Sequence, residues 1–275
     1  MAQTIYQVDA FTDRPFRGNP AAVCVLPAPR EAAWMQDVAA EMNLSETAFL
    51  VRRDGEAAFN LRWFTPEAEV NLCGHATLAS AHILWERAFL PPDAPAVFET
   101  RSGRLTARRR EDGLIVLDFP ADPPRAVAPP PGLLEALGTT PSFVGRGRED
   151  YLVVFDDEDV VHGLRPDLTR LAAIETRGVI VTAPAGSAYD IVSRFFAPRL
   201  GIPEDPVTGS AHCCLGPYWA GRLGRTELTA YQASRRGGVI YVSVGTERVR
   251  LGGRAVTVLE GRLLGRQAAG PTSPG

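Results

Sequence analysis

The sequence predicts a protein of two similar halves, each a mixture of strands and helices, with a binding cleft between them. The main reason is a repeated phrase. Residues 62–82 read RWFTPEAEVNLCGHATLASAH, and residues 194–214 read RFFAPRLGIPEDPVTGSAHCC. Each copy ends a strand on an aromatic pair, Trp63-Phe64 or Phe195-Phe196, then passes a proline and an acidic loop. Each then opens a small-residue helix, at Gly74-His75 or at Thr208-Gly209-Ser210. A repeat this far apart implies two related halves. The second reason is chemical. Free backbone N–H groups at a helix start bind anions. Two such starts in one chain point to a carboxylate-bearing substrate held between the halves.

The elements follow in order. TIYQVDAF reads as a strand, and the loop TDRPFRGNP leads to a second strand, AAVCVL. EAAWMQDVAAEM has helical spacing at Ala33/Trp34, Val38 and Met42. SETAFLVR and AFNLRWF read as strands around the hairpin signal Asp54-Gly55. GHATLASAHILWERAF is a helix, and VFET, GRLTARRR and LIVLDFP are strands. The proline-dense PADPPRAVAPPPG reads as a linker. These signals divide the chain into a first half at 1–120, a linker at 121–132, a second half at 133–265 and a disordered tail at 266–275. The second half repeats the order. It has a strand LVVFD, a helix around PDLTRLAAI, and strands GVIVTA and DIVSRFF. The helix GSAHCCLGPYWAGRLG and the strands TELTAYQA, GVIYVSV, RVRLG and RAVTVLEGRL complete it. Both repeat helices open with small residues, which lets a thin helix sit close inside a curved sheet.

Composition narrows the function. The chain has 275 residues, 45% hydrophobic and 22% charged, as in ordinary soluble globular proteins. A net charge of −3 argues against nucleic acid or an anionic membrane surface as partner. The first residues lack the basic start and apolar run of a signal peptide, and no apolar stretch is long enough to span a bilayer. A cytoplasmic location is therefore expected. The four cysteines, Cys24, Cys73, Cys213 and Cys214, suit neither a disulfide framework nor a CxxC metal site. No metal is expected. All 29 basic residues are arginine. Without lysine there is no protein Schiff base and no Walker A motif. Proton transfer at carbon must then use carboxylates, histidine, thiols or backbone dipoles. The loops before the two helices concentrate such groups: Cys73, His75, Asp205, Thr208 and Ser210.

Five segments carry a resemblance: VDAFTDRPFRGNPAAVCVL, EMNLSETAFL, the two repeated phrases, and the carboxy-terminal YQASRRGGVIYV with AVTVLEGRL. At these residues the chain resembles the PhzF-like isomerases of the phenazine-biosynthesis family. That family has the diaminopimelate-epimerase-like fold and counts proline racemases among its distant relatives. The likeness runs from residue 8 to about 263. It implies an α+β fold of two halves, each a mixed sheet curled around a central helix, with the site in the cleft between them. It implies that Glu46 is the general acid/base and that His75, Asp205 and Ser210 are the other polar site positions. It implies no cofactor, and family members are often dimers, so a homodimer is an expectation here.

Residue by residue, aligning the halves through Asp54-Gly55 and Ala185-Gly186 places Glu46 opposite Arg177. The acid has no counterpart in the second half, as a site with one carboxyl shuttle requires. His75 can orient substrate or assist a second proton transfer. Asp205 can cap the following helix, orient His75, or both. Gly74, Thr208, Gly209 and Ser210 offer N–H groups and hydroxyls to a substrate carboxylate or a developing enolate. Racemases of this superfamily use one thiol from each half. Cys73 fills the first thiol position, but Pro206 fills the second. The expected function is therefore a cofactor-independent isomerase moving a proton at carbon in a small carboxylate-bearing molecule. The alternatives are a one-thiol racemase or epimerase using Cys73, and a non-catalytic small-molecule-binding protein.

Overall fold

A computed structural model describes residues 2–186 and 188–264; the expected disordered tail at 266–275 lies outside them. The first half contains β1 (Gln3–Ala10), β2 (Asn19–Leu26), α1 (Ala32–Met42), β3 (Glu46–Arg52), β4 (Ala58–Phe64), the short β5 (Glu69–Val70), α2 (Gly74–Glu86), β6 (Ala96–Thr100), β7 (Gly103–Arg109) and β8 (Ile115–Pro120). There follow β9 (Arg125–Ala126), α3 (Leu133–Leu137), β10 (Phe143–Arg146), β11 (Asp150–Val154), α4 (Glu158–Gly163), α5 (Leu168–Ala173), β12 (Gly178–Pro184) and β13 (Ile191–Phe196). After a 3-10 turn at Pro198–Leu200 come α6 (Gly209–Leu223), β14 (Glu227–Gln232), β15 (Gly238–Val244), β16 (Arg248–Gly253) and β17 (Ala255–Leu263).

The strand pairings repeat. In the first half β1–β2 is antiparallel, β2–β3 parallel, β3–β4 antiparallel, β4–β6 parallel, and β6–β7–β8 antiparallel. In the second, β10–β11 is antiparallel, β11–β12 parallel, β12–β13 antiparallel, β13–β14 parallel, and β14–β15–β16 antiparallel. The helices fall in matching places: α2 links β4 to β6, and α6 links β13 to β14. The hairpin ladders match as well, Thr47–Phe64 with Val179–Phe196 and Arg52–Phe59 with Pro184–Ile191, which sets Glu46 opposite Gly178 and corrects the sequence alignment to Arg177 by one residue.

The ends of the halves differ from the sequence reading. β17, assigned there to the second half, pairs antiparallel with β1 of the first. The proline-rich segment at 121–132, assigned as a linker, contributes β9 to the edge of β10 in the second half. Each half thus lends its last strand to the other, and β8–β16 pairing closes the join. Proline has no N–H for a ladder. Pro123, Pro124 and the run Pro129–Pro131 therefore leave β9 two residues long, where its counterpart β17 has nine. The same segment is tied to α6. Pro217 inside α6 cannot bond the carbonyl one turn back, and Asp122 N–H donates to that carbonyl, Cys213 O, at 2.9 Å.

The central helices are as thin and as buried as the small residues imply. Every residue of α2 from His75 to Trp85 is buried except His82. Its polar side chains satisfy themselves on the helix: Thr77 Oγ1 donates to Cys73 O, and Ser80 Oγ donates to Ala76 O at 2.7 Å. In α6, a Cβ on Gly216 would lie 2.9 Å from Val242 Cγ1, so only glycine lets this helix approach β15 so closely. One hydrophobic core runs through both helices, and smaller ones lie under α1 and under α3–α5. No helix among the described residues is long and apolar enough to cross a membrane.

Candidate active site

The two small-residue helices meet end to end. A Cβ built on Gly74 would lie 3.6 Å from Gly209 Cα, and one on Gly209 would lie 3.7 Å from Gly74 Cα. The N-terminal turns of α2 and α6 therefore share one place, each with N–H groups that have no acceptor within the helix. Neither start is capped by a side chain. Two positive helix ends, uncapped and adjacent, favour an anion there.

Glu46 opens β3, and its carboxylate reaches the first turn of α2. Glu46 Oε2 and His75 Nε2 are 3.0 Å apart, with His75 buried and Glu46 nearly so. The approach is close but not aligned as a hydrogen bond, so both buried atoms keep their hydrogen-bonding capacity. The other edge of the ring faces a thiol, with Cys73 Sγ 3.5 Å from His75 Nδ1. Burial opposes a charged His75, but negative charge on Cys73 and Glu46 outweighs it and raises the ring pKa well above its ordinary 6.5. Burial first, and Glu46 second, push the Cys73 thiol up to about 11. At neutral pH Cys73 is thus a neutral thiol. These three residues place potential metal-ligand atoms within 4.8 Å of one another. The imidazole turns one nitrogen to Cys73 and the other to Glu46, which is not how three ligands enclose a single ion.

Asp205 lies in the loop before α6. Its Oδ1 accepts from Asn19 Nδ2 at 2.9 Å, and its Oδ2 accepts from the Thr208 hydroxyl. It neither caps an α6 N–H nor bonds His75 directly; Thr208 is the N-cap residue. It acts on the first half through charge. Burial raises its pKa to about 6; the His75 charge lowers it and the Glu46 charge raises it. Thr208 corrects the sequence reading. Its N–H donates to Gln232 Oε1 at 2.8 Å and its hydroxyl donates to Asp205, so no donor is left for a substrate. Gly74, His75, Gly209 and Ser210 remain at the junction of the helix starts.

Three partners of the site were not assigned from sequence. Asn19 is fully buried at the start of β2 and joins the halves: it donates to Asp205 and to Val207 O, and accepts from Ser45, the neighbour of Glu46. Gly18, at φ +64°, turns the chain into that position; a Cβ there would lie 2.1 Å from Ala10 O. Gln232 donates to Asp205 O at 2.8 Å and holds the Thr208 N–H. Arg177 Nη1 donates to Ser210 Oγ at 3.1 Å. Asn19 and Gln232 both fall inside segments that carry the family resemblance, RGNPAA and YQASRR, and that was their only signal. Arg236 is occupied structurally, bridging Asp9 and the carbonyls of Arg17 and Gly18.

Known proteins resemble this chain along nearly its whole length. An isomerase of Halalkalibacterium halodurans, named as uncharacterized, is 54% identical over 96% of this chain and 99% of its own. The crystal structure of a PhzF-family phenazine biosynthesis protein from Enterococcus faecalis is 44% identical. It covers 96% of this chain and 100% of its own, with a TM-score of 0.91. A probable proline racemase from Agrobacterium radiobacter, 12% identical, covers 99% of this chain and 94% of its own at a TM-score of 0.64, a likeness of fold alone. The α+β architecture of two sheets, each curled around a helix, is therefore the one these proteins share. The phenazine biosynthesis-like family model matches residues 8–261, and the chain belongs to that PhzC-PhzF family.

Proposed function

We propose that the protein is a cofactor-independent isomerase that moves a proton between positions of a small carboxylate-bearing molecule. The observation that carries this reading is the Glu46–His75 contact beside two uncapped helix starts that meet at Gly74 and Gly209. The substrate carboxylate rests on the N–H groups of the helix starts. Glu46, as carboxylate, takes a proton from carbon. The charge that develops is spread toward the same N–H groups, and preorganised donors of this kind contribute about 10²–10³ in rate in a well-studied case. Glu46 then returns the proton to another position of the same molecule. His75, 3.0 Å from Glu46 and with its Nε2 unpartnered, orients the carboxyl and donates to the anionic intermediate. Asp205 sets the balance of charge from the α6 side. The name of the Halalkalibacterium relative supports the reaction class.

A second reading rests on the Cys73–His75 contact at 3.5 Å: a one-thiol racemase in which His75 draws the proton from Cys73. A thiol at about 11 is a poor base near neutrality, and the N-cap residue of α6 that matches Cys73 is Thr208, not a second thiol. The carboxyl shuttle is the better account. The test is a panel of small cyclic carboxylates and amino acids incubated in D₂O, read by NMR. The reading expects double-bond or positional isomerisation of at least one compound, lost in Glu46→Gln. Inversion at a single carbon, lost in Cys73→Ser and kept in Glu46→Gln, would replace it with the racemase. Binding without exchange or conversion across the panel would replace both with a non-catalytic binding protein.

A further inference from the structure

We infer that Arg177 is a positioning residue that turns the Ser210 hydroxyl into a donor for the substrate carboxylate, making the α6 side of the cleft its fixed anion pole. The inference rests on the proposed proton-transfer reading and adds the orientation of the substrate. It starts from the internal repeat. β3 and β12 occupy matching places; Glu46 is the first residue of β3, and Arg177 lies one residue before the counterpart of Glu46, Gly178. His75 and Ser210 likewise match, each following the helix-start glycine. The first half brings its pair together as Glu46 Oε2 to His75 Nε2, 3.0 Å. The second brings its pair together as Arg177 Nη1 to Ser210 Oγ, 3.1 Å. Each half thus sets a side chain from the entry of its matching strand on the second residue of its helix start, with the chemical sense reversed. An acceptor faces the helix start in the first half, and a donor faces it in the second.

The donor has a definite consequence. A guanidinium only donates. Ser210 Oγ must accept from Arg177, so its single proton is turned away from Arg177 and is free to be given. It joins the free N–H groups of the first turn of α6. Arg177 itself cannot swing to the substrate. Its Nε donates to Asp150 Oδ1 at 2.8 Å and its Nη2 to Asp150 Oδ2, and Glu149 Oε2 lies 3.4 Å from Nε. Asp150 is buried, and the Phe195 ring lies under the guanidinium at 5.5 Å. With its charge largely neutralised by Asp150, Arg177 works by direction and through Ser210. A carboxylate then rests against α6, with the rest of the molecule under Glu46. The opposite orientation would set two carboxylates against each other.

The test compares benzoate with benzamide, a planar carboxylate and its neutral counterpart, by NMR titration of wild type, Ser210→Ala, Asp150→Asn/Arg177→Met and the triple variant. The paired substitution removes both buried charges together, so neither is left unpaired, and Arg177→Lys is the conservative control. Wild type is expected to prefer benzoate by at least about tenfold, the span of one hydrogen bond to a charged group. Ser210→Ala and the pair should each bring the preference close to one, with benzamide affinity unchanged and the triple variant no worse, because the residues act as one unit. A preference that survives in Asp150→Asn/Arg177→Met, or a wild type without any preference, overturns the inference. Equal weakening of both ligands overturns it in favour of a purely structural Arg177. The D₂O assay on wild type separates the two claims: isomerisation with an unmoved preference sinks the inference alone, and absence of exchange on every carboxylate sinks the functional reading.

Discussion

Asp205→Asn tests the electrostatics of the site through stability. Burial holds the Asp205 pKa at about 6, against an ordinary 3.8. The native state therefore keeps its proton where the unfolded chain has lost it. Stability from this group is fully present below about pH 4 and is lost as pH rises through about 6. At about 1.4 kcal/mol per pH unit, the gap amounts to about 3 kcal/mol, roughly half of it falling between pH 5 and 8. The carboxyl keeps a partial opening to the cleft, so this is an upper figure. Asn cannot ionise, so the variant should lack this fall. The substitution also disturbs the Thr208 hydroxyl bond, which shifts its stability by a constant and leaves the slope to report the charge. Urea unfolding of wild type and variant at intervals from pH 5 to 8 gives the slope directly. The variant's stability relative to wild type should rise by about 1 kcal/mol across that range. Parallel pH profiles would refute the claim that Asp205 is held as a strained charge.

Other consequences follow from the same geometry. Cys73→Ser should leave most turnover intact, measured as kcat on the isomerised substrate; a loss on the order of 10³-fold with folding unchanged favours the racemase reading. Asn19→Ala removes two donors from the junction of the halves and should lower stability by about 1–3 kcal/mol in urea unfolding; an unchanged midpoint would show the bridge to be dispensable. Gly216→Val drives side-chain carbon into Val242 and should destabilise by at least about 1–3 kcal/mol, read as a lowered Tm.

The repeat was the most legible feature. Aromatic pairs, prolines and small-residue helix starts are local signals, and they located α2, α6 and the hairpins that β3–β4 and β12–β13 form. They aligned Glu46 with Arg177, one residue short of the match the ladders give, Gly178; the structure sets Glu46 beside His75 and Arg177 on Ser210. The exchange of β9 and β17 between halves was not legible. Strand pairing is a long-range choice, and nothing in AVTVLEGRL says that its partner is β1 near the other end of the chain. The prolines at 121–132 read as a linker because proline disfavours ladders, and the two paired residues between them are too few to show a pattern. Asn19 escaped notice for a related reason: its partners Asp205 and Val207 are distant in sequence, and a lone Asn before proline reads as a turn. Thr208 was misread because a helix-start hydroxyl looks available until Gln232 and Asp205 are found holding it.

The central claim is that Glu46 carries one proton from one position of the substrate to another. Substrate labelled with deuterium at the reacting carbon, turned over in ordinary water by wild type and by Glu46→Gln, tests it most directly. Wild type should pass part of the label to the new position in product, because a carboxyl in a closed cleft exchanges slowly with solvent. Glu46→Gln should bind the same compound nearly as well and lose at least about the 10²–10⁴-fold expected for one general acid/base. Full activity in Glu46→Gln, or product free of label at every stage of the reaction, would contradict the account.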